Sequence, residues 1–189
     1  MFKLILSLAL LFALCVQYGS AVAQSFGTYN SGRFPYGIGV PASWGKPQAD
    51  AVRGGEIVSW TEKGGVQLTV SARPLSSANK GAYKSVKQIP NISEMLTGSS
   101  VAGAKPDIVA SGWTVLSNND AYWMKLNLLH RALDQELWIH TYLVMTLVDD
   151  VIYIVMVKVP AKSKSAATAK FDSQWPRLKP VVSSFVLSR

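Results

Sequence analysis

Residues 120–160 read DAYWMKLNLLHRALDQELWIHTYLVMTLVDDVIYIVMVKVP, three strand-length runs that can be registered against one another from their own turns. A two-residue loop at Leu133 and Asp134 sets His130 opposite Leu137, Leu128 opposite Ile139, Met124 opposite Leu143 and Tyr122 opposite Met145. A second loop at Asp149 and Asp150 sets Leu147 opposite Ile152 and Met145 opposite Ile154. Upstream, a loop at Asn118 and Asn119 sets Trp113 opposite Met124 and Val115 opposite Tyr122. Apolar side chains meet along one face throughout. The runs Ile108–Ser117, Asp120–Ala132, Gln135–Val148 and Val151–Pro160 are therefore expected to form a four-stranded antiparallel meander with one consistent apolar face.

The second face of that meander displays Trp123, Lys125, Asn127, Arg131, Glu136, Trp138, His140 and Tyr142. Aromatic bodies with hydrogen-bonding ends suit a protein interface, where Trp, Tyr and Arg are the common hot-spot types. They also suit burial beneath a helix. A helix-forming run, AKSKSAATAKFDSQW at 161–175, places Phe171 and Trp175 four residues apart as an apolar stripe able to cover the sheet. Pro176 and Pro180 either end that helix or begin a final turn carrying Val182 and Phe185.

Further upstream, Glu56–Thr61 and Val66–Arg73 are β-rich runs joined by EKGG, a hairpin whose glycines permit positive φ. Tyr36–Val40 reads as a short strand ended by Pro41, and 46–55 as a loop. The segment from Ser77 to Ile89 is helical in composition, with Ser77 as N-cap, and Pro90 separates it from a second helical turn at NISEMLTG. On that helix Lys80, Lys84 and Lys87 make one basic face, either solvated or docked on an anionic surface. Residues 25–33, SFGTYNSGR, lack apolar period and read as a flexible lead-in to a domain spanning 34–189.

The first 24 residues, MFKLILSLALLFALCVQYGSAVAQ, address the chain. Lys3 is a positive start, Leu4–Val16 an apolar stretch, and Ala21, Val22 and Ala23 a small-residue site before Gln24, the pattern of a cleaved secretory signal peptide over 1–23. The alternative, an uncleaved anchor, needs ~20 apolar residues and meets polar Gln17, Tyr18 and Ser20 instead. Cleavage leaves 166 of 189 residues and no transmembrane segment, and it removes Cys15, the one cysteine. The exported chain then has no disulfide and no thiol chemistry. Its charge is +7, from 18 Lys and Arg against 11 Asp and Glu. Such a balance suits solubility or an anionic surface, while the absence of an Arg cluster interleaved with aromatics speaks against nucleic acid. The expected location is periplasmic or secreted.

The string FPYGIGVPASW at Phe34–Trp44, a strand ended by Pro and followed by Trp, and the closing SSF at Ser183–Phe185 resemble the PsbP and Mog-type fold. That fold is known from an extrinsic protein of photosystem II, a Ran-binding protein and many exported bacterial proteins. The resemblance covers nearly all of the mature chain and implies an α+β fold, a central antiparallel sheet of hairpin and meander flanked by helices. It implies a binding or accessory role without known chemistry, and it carries over no ligand or site residue.

Catalytic motifs are missing. There is no GxSxG elbow, and the register puts His130 on the apolar face and His140 on the other, so the two cannot share a metal. Asp149 and Asp150 read as turn residues, and Asp134 and Glu136 flank a turn with Arg131 opposite Glu136 as a cross-strand ion pair. No catalytic, metal or cofactor-binding residue is assigned, and the chain reads as non-enzymatic. The first functional expectation is an exported accessory protein that docks another envelope protein through the aromatic face. The alternatives are a small-ligand or lipid carrier with a pocket between sheet and helix, and a hydrolase with an unrecognised site around His140.

N-terminal sequencing of the exported protein tests the address: cleavage gives a chain starting at Gln24, and a chain still starting at Met1 would establish the anchor instead.

Overall fold

The computed structural model describes residues 25–52, 54–98, 106–132 and 135–188; the signal-peptide segment 1–23 and the loop at Leu133 and Asp134 lie outside them. In chain order the elements are β1 (Phe26–Asn30), β2 (Tyr36–Pro41), β3 (Gln48–Val52), β4 (Gly55–Thr61), β5 (Gln67–Pro74), α1 (Ile92–Gly98), β6 (Asp107–Leu116), β7 (Asn119–Ala132), β8 (Gln135–Val148), β9 (Val151–Ala161), α2 (Lys164–Ser183) and β10 (Val186–Leu187).

Two tight turns fix the register of the meander. Asp149 and Asp150 hold φ of 50° and 62°, the positive pair of a type I′ turn whose twist suits antiparallel strands. Leu147 accordingly faces Ile152 and Met145 faces Ile154, as the sequence predicts. The four β7–β8 pairs predicted from the Leu133–Asp134 loop are likewise found. The turn before β7 differs by one residue, because Ser117 and Asn118 hold the positive φ, 49° and 62°. The Asn119 side-chain amide donates to the Ser117 carbonyl at 2.7 Å, which leaves Asn119 to begin the strand. Trp113 therefore faces Tyr122, and Val115 faces Asp120. This two-residue shift preserves which face each side chain occupies.

The hairpin and the meander are one sheet. β5 pairs antiparallel with β9, giving a seven-stranded sheet in the order β3-β4-β5-β9-β8-β7-β6. Its outer strand β3 comes from the run expected as a loop, and pairs Gln48 with Ser59 through Val52 with Gly55. The expected flexible lead-in is also a strand: β1 pairs with β2, and with β10 they form a second, three-stranded sheet. What orders this lead-in is a buried carboxylate. Glu56, 5% exposed, accepts hydrogen bonds from Ser31 Oγ at 2.5 Å, Tyr36 OH at 3.2 Å and Tyr29 OH at 3.3 Å. Burial and the neighbouring Glu56 charge raise the pKa values of both tyrosines, so these phenols stay protonated donors.

The segment 77–89 is not the expected helix. Gly81 sits at φ +73°, outside right-handed helix, and its N–H donates to the Asp150 carboxylate at 2.8 Å. Lys80 and Lys84 lie exposed on turns, while Lys87, in a short 3-10 turn at Val86–Gln88, pairs with Asp120 at 2.7 Å. The three lysines thus share no helical face. After Pro90, α1 forms where NISEMLTG predicts it.

α2 runs through both prolines. Pro176 and Pro180 are exposed and one turn apart, so the Asp172 and Pro176 carbonyls that lose their N–H partners lie on the solvent side of the helix. Ala167, Phe171, Leu178 and Val182 form the buried stripe. At its end Ser184 Oγ accepts from the Gly39 N–H at 2.8 Å, and a Cβ on Gly39 would lie 3.0 Å from that oxygen, so the contact needs glycine. The sheet therefore has two cores: α2 with the small sheet covers one face, and α1 with the segment before it partly covers the other.

Glu56→Ala should destabilise the protein by about 3 kcal/mol, since it strands a buried phenol and two further hydroxyls. Glu56→Gln, which keeps an acceptor, should lose less. Urea unfolding of both variants reads the difference, and equal stability of Glu56→Ala and wild type would show the cluster to be dispensable.

Candidate functional site

α2 lies on the aromatic face of the meander. Trp175 packs on Tyr142 with ring centroids 4.6 Å apart, and Phe171 packs on His140 at 4.5 Å. The Lys125 ammonium sits 5.5 Å and 5.8 Å from the Phe171 and Trp175 rings, a cation–π arrangement beneath the helix. His140 and Asn127 are only 1% and 3% exposed. Of the expected docking surface, α2 covers the centre, Trp123, Lys125, Trp138 and Tyr142 keep partial exposure, and Arg131 is exposed at the strand end, paired with Glu136 at 2.7 Å.

His140 Nδ1 lies 2.9 Å from Asn127 Oδ1 and 3.3 Å from Thr168 Oγ1, while Nε2 is buried without a partner among the described residues. Burial lowers the His140 pKa, with Asp172 opposing and Lys125 adding to the effect. A hydrolase centred here would need substrate to reach a ring packed under Phe171. The two histidines lie on opposite faces as expected, His130 facing Leu137 and His140 facing Asn127. Among the described residues no group of three or more metal-ligating side chains is gathered.

The other face carries a groove of about 530 Å³, within the range of small-molecule sites. Its floor is drawn from β4, β5, β9, β8 and β7, and its lining is graded across those strands. Leu126, Leu128, Ile139 and Leu143 make an apolar half beneath Leu96 of α1. Ser59, Gln67, Thr69 and Ser71 make a polar half on the hairpin strands. Ile154, Met156 and Lys158 of β9 form the seam. α1 is held over the apolar half by Ser93 Oγ, 2.9 Å from Tyr122 OH, which in turn donates to Ser111 Oγ at 2.8 Å.

Sequence reasoning paired Leu128 with Ile139 and put Leu143 on the same face, and it held a pocket between sheet and helix as an alternative. It missed the polar half, because that half arrives through the β5–β9 pairing, which no short turn announces. The available signal was the alternation Gln67, Thr69, Ser71 and Arg73 against Leu68, Val70 and Ala72, which marks a strand with a wet face on one side.

No family model and no curated protein matches this sequence. Among solved structures, cyanobacterial PsbP from Synechocystis sp. PCC 6803 is similar over 89% of this chain and 96% of its own, with a TM-score of 0.58 and 12% identity. A protein from Bacteroides thetaiotaomicron is similar with a TM-score of 0.44 and 10% identity, over 88% of this chain and 49% of its own. A protein of unknown function from Pseudomonas aeruginosa is similar with a TM-score of 0.40 and 9% identity, over 82% of this chain and 94% of its own. The fold is PsbP-like, as the Phe34–Trp44 and Ser183–Phe185 strings imply; both strings lie at the small sheet and the end of α2. Among the described residues no helix is long and apolar enough to cross a membrane.

The lowered pKa of His140 fixes the sign of a pH effect. The unfolded chain takes up a proton near pH 6.5, before the native His140 does, so stability is full above that pH and falls as the pH drops toward the native value. The slope is at most about 1.4 kcal/mol per pH unit for one group. Urea unfolding at pH 7.5 and 5.5 should show a smaller loss for His140→Gln than for wild type; identical losses would show that His140 does not stay neutral in the fold.

Proposed function

We propose that this protein is an exported, non-enzymatic binding protein that holds a small amphipathic molecule in the groove between the seven-stranded sheet and α1. The observation that carries this reading is the groove itself. It offers about 530 Å³ with Leu126, Leu128, Ile139 and Leu143 on one side and Ser59, Gln67, Thr69 and Ser71 on the other. An apolar body beside a few convergent polar groups is the usual composition of a ligand site. The signal-peptide pattern at 1–23 supports export. Docking of an envelope protein through the aromatic face has less support, because α2 occupies the centre of that face.

The test uses the mature protein purified without denaturant and a neutral apolar fluorophore, N-phenyl-1-naphthylamine. Met156 lies at the middle of the groove floor, and Met156→Trp fills it. Saturable fluorescence enhancement by wild type, weakened at least tenfold in a Met156→Trp variant of unchanged thermal midpoint, is the expected result. No enhancement by wild type, or equal enhancement by both, would overturn the groove as a ligand site.

A further inference from the structure

We infer that the molecule taken by the groove is an amphipathic anion, its head held by Lys158 and the Thr141 hydroxyl beside it and its tail laid over the apolar half. The inference rests on the groove being a ligand site and adds the chemical class of the ligand.

Lys158 stands at the seam. On β9 it faces Thr141 of β8 on one side and Gln67 of β5 on the other, and Thr141 faces Leu126 of β7. The cross-strand row thus runs from polar to apolar through a single ammonium. Among the described residues, four ion pairs are formed, by Lys87, Arg131, Lys164 and Arg177, and none involves Lys158. Arg73, the other permanent cation of the lining, forms none either. Burial lowers the Lys158 pKa, and among the described residues no acidic neighbour offsets it. A partly desolvated ammonium without a counter-charge is the uncompensated state that an anion relieves.

One further group wants the same partner. Thr141, opposite Lys158 in the register, is 1% exposed, and among the described residues its hydroxyl oxygen is buried without a hydrogen-bond partner. It lines the groove beside Lys158. A carboxylate or other oxyanion accepts from hydroxyls and from an ammonium alike, and charge-assisted hydrogen bonds are the strong kind. A cationic head would meet Lys158 with like charge. An alcohol head would answer the Thr141 hydroxyl and leave the ammonium unpaired. The tail then covers Leu126, Leu128, Ile139 and Leu143 beneath Leu96.

Three probes with one ten-carbon chain separate the possibilities: decanoate, decanol and decyltrimethylammonium, each titrated below its micelle concentration into the mature protein and followed by methyl NMR shifts of the groove Leu, Ile and Met residues. The expected result is decanoate binding at least tenfold tighter than decanol, with the ammonium probe weakest. Lys158→Met should reduce the decanoate preference to below threefold while leaving decanol affinity within twofold, and Lys158→Arg should restore the preference. Decanol and decanoate binding equally to wild type would overturn the anion while keeping the groove as a ligand site. Binding of none of the three would overturn the groove reading with it. A preference unchanged in Lys158→Met, with methyl spectra showing the variant folded, would overturn the role of Lys158.

Discussion

The pairing of β5 with β9, from Gln67 opposite Lys158 to Pro74 opposite Val151, is the constraint on which the rest of this structure depends. It joins a local hairpin to a local meander and so makes one sheet wide enough to carry a core on each face. The row Val58, Val70, Val155 and Val144, in which each residue faces the next across four strands, is at most 2% exposed and forms the centre of the inner core. Removing those four side chains from water is the kind of burial that offsets the entropy of bringing distant strands together. The same pairing sets Ser71 beside Ile154 and Thr69 beside Met156 on the opposite face. Core and groove are two consequences of one register, because alternate residues of a strand serve opposite faces.

The two faces are closed by different means. On the inner face α2 presents Phe171, Leu178 and Val182, and the small sheet presents Tyr36, Ile38 and Val40. Directional bonds position these layers: Arg177 clamps Glu62 through both terminal guanidinium nitrogens at 2.7 Å and 2.6 Å, and Glu56 gathers three hydroxyls from β1, β2 and the turn between them. On the outer face the cover is short. Val86, Ile89, Ile92 and Leu96 pack on the β7 and β8 side, tied down through Ser85 and Lys87 to Asp120. The Lys87 ammonium and the Ser85 hydroxyl hold the Asp120 carboxyl below the usual carboxylate range. A cover of this length spans the meander and stops short of the hairpin strands, and the graded groove lies at that boundary.

The groove lining follows from which strand had to satisfy what. Leu126, Leu128 and Leu143 lie in the outer core, 1% to 6% exposed. Ser59 and Gln67 keep partial exposure and are polar. Lys158 falls between the two regimes, on a central strand whose other side chains Val155, Val157 and Val159 are buried in the inner core. A lysine there extends its apolar stem over the sheet while its ammonium seeks charge or water.

The sequence by itself determined the local geometry. The turn at Asp149 and Asp150 and the two-residue spacing between β7 and β8 set the strand partners, and a period of two keeps each side chain on its face even where, as between β6 and β7, the register moves by two. It determined too that Trp123, Trp138 and Tyr142 of β7 and β8 share a face and that Phe171 and Trp175 offer a stripe to cover it. Turn chemistry was legible less finely: Asn118 and Asn119 both tolerate positive φ, and only the hydrogen bond from Asn119 back to Ser117 chose between positions. Tertiary structure alone decided the rest. In the polar lead-in, Tyr29 of the strand at 26–30 and Ser31 just after it bind a carboxylate in β4, and the lysine-bearing segment before α1 is not a helix because Asp150 and Asp120 hold it elsewhere. Which face α2 would cover, and hence which face kept a groove, depended on contacts between residues far apart in the chain. Those energies arise only once the sheet exists, so no local run of residues encodes them.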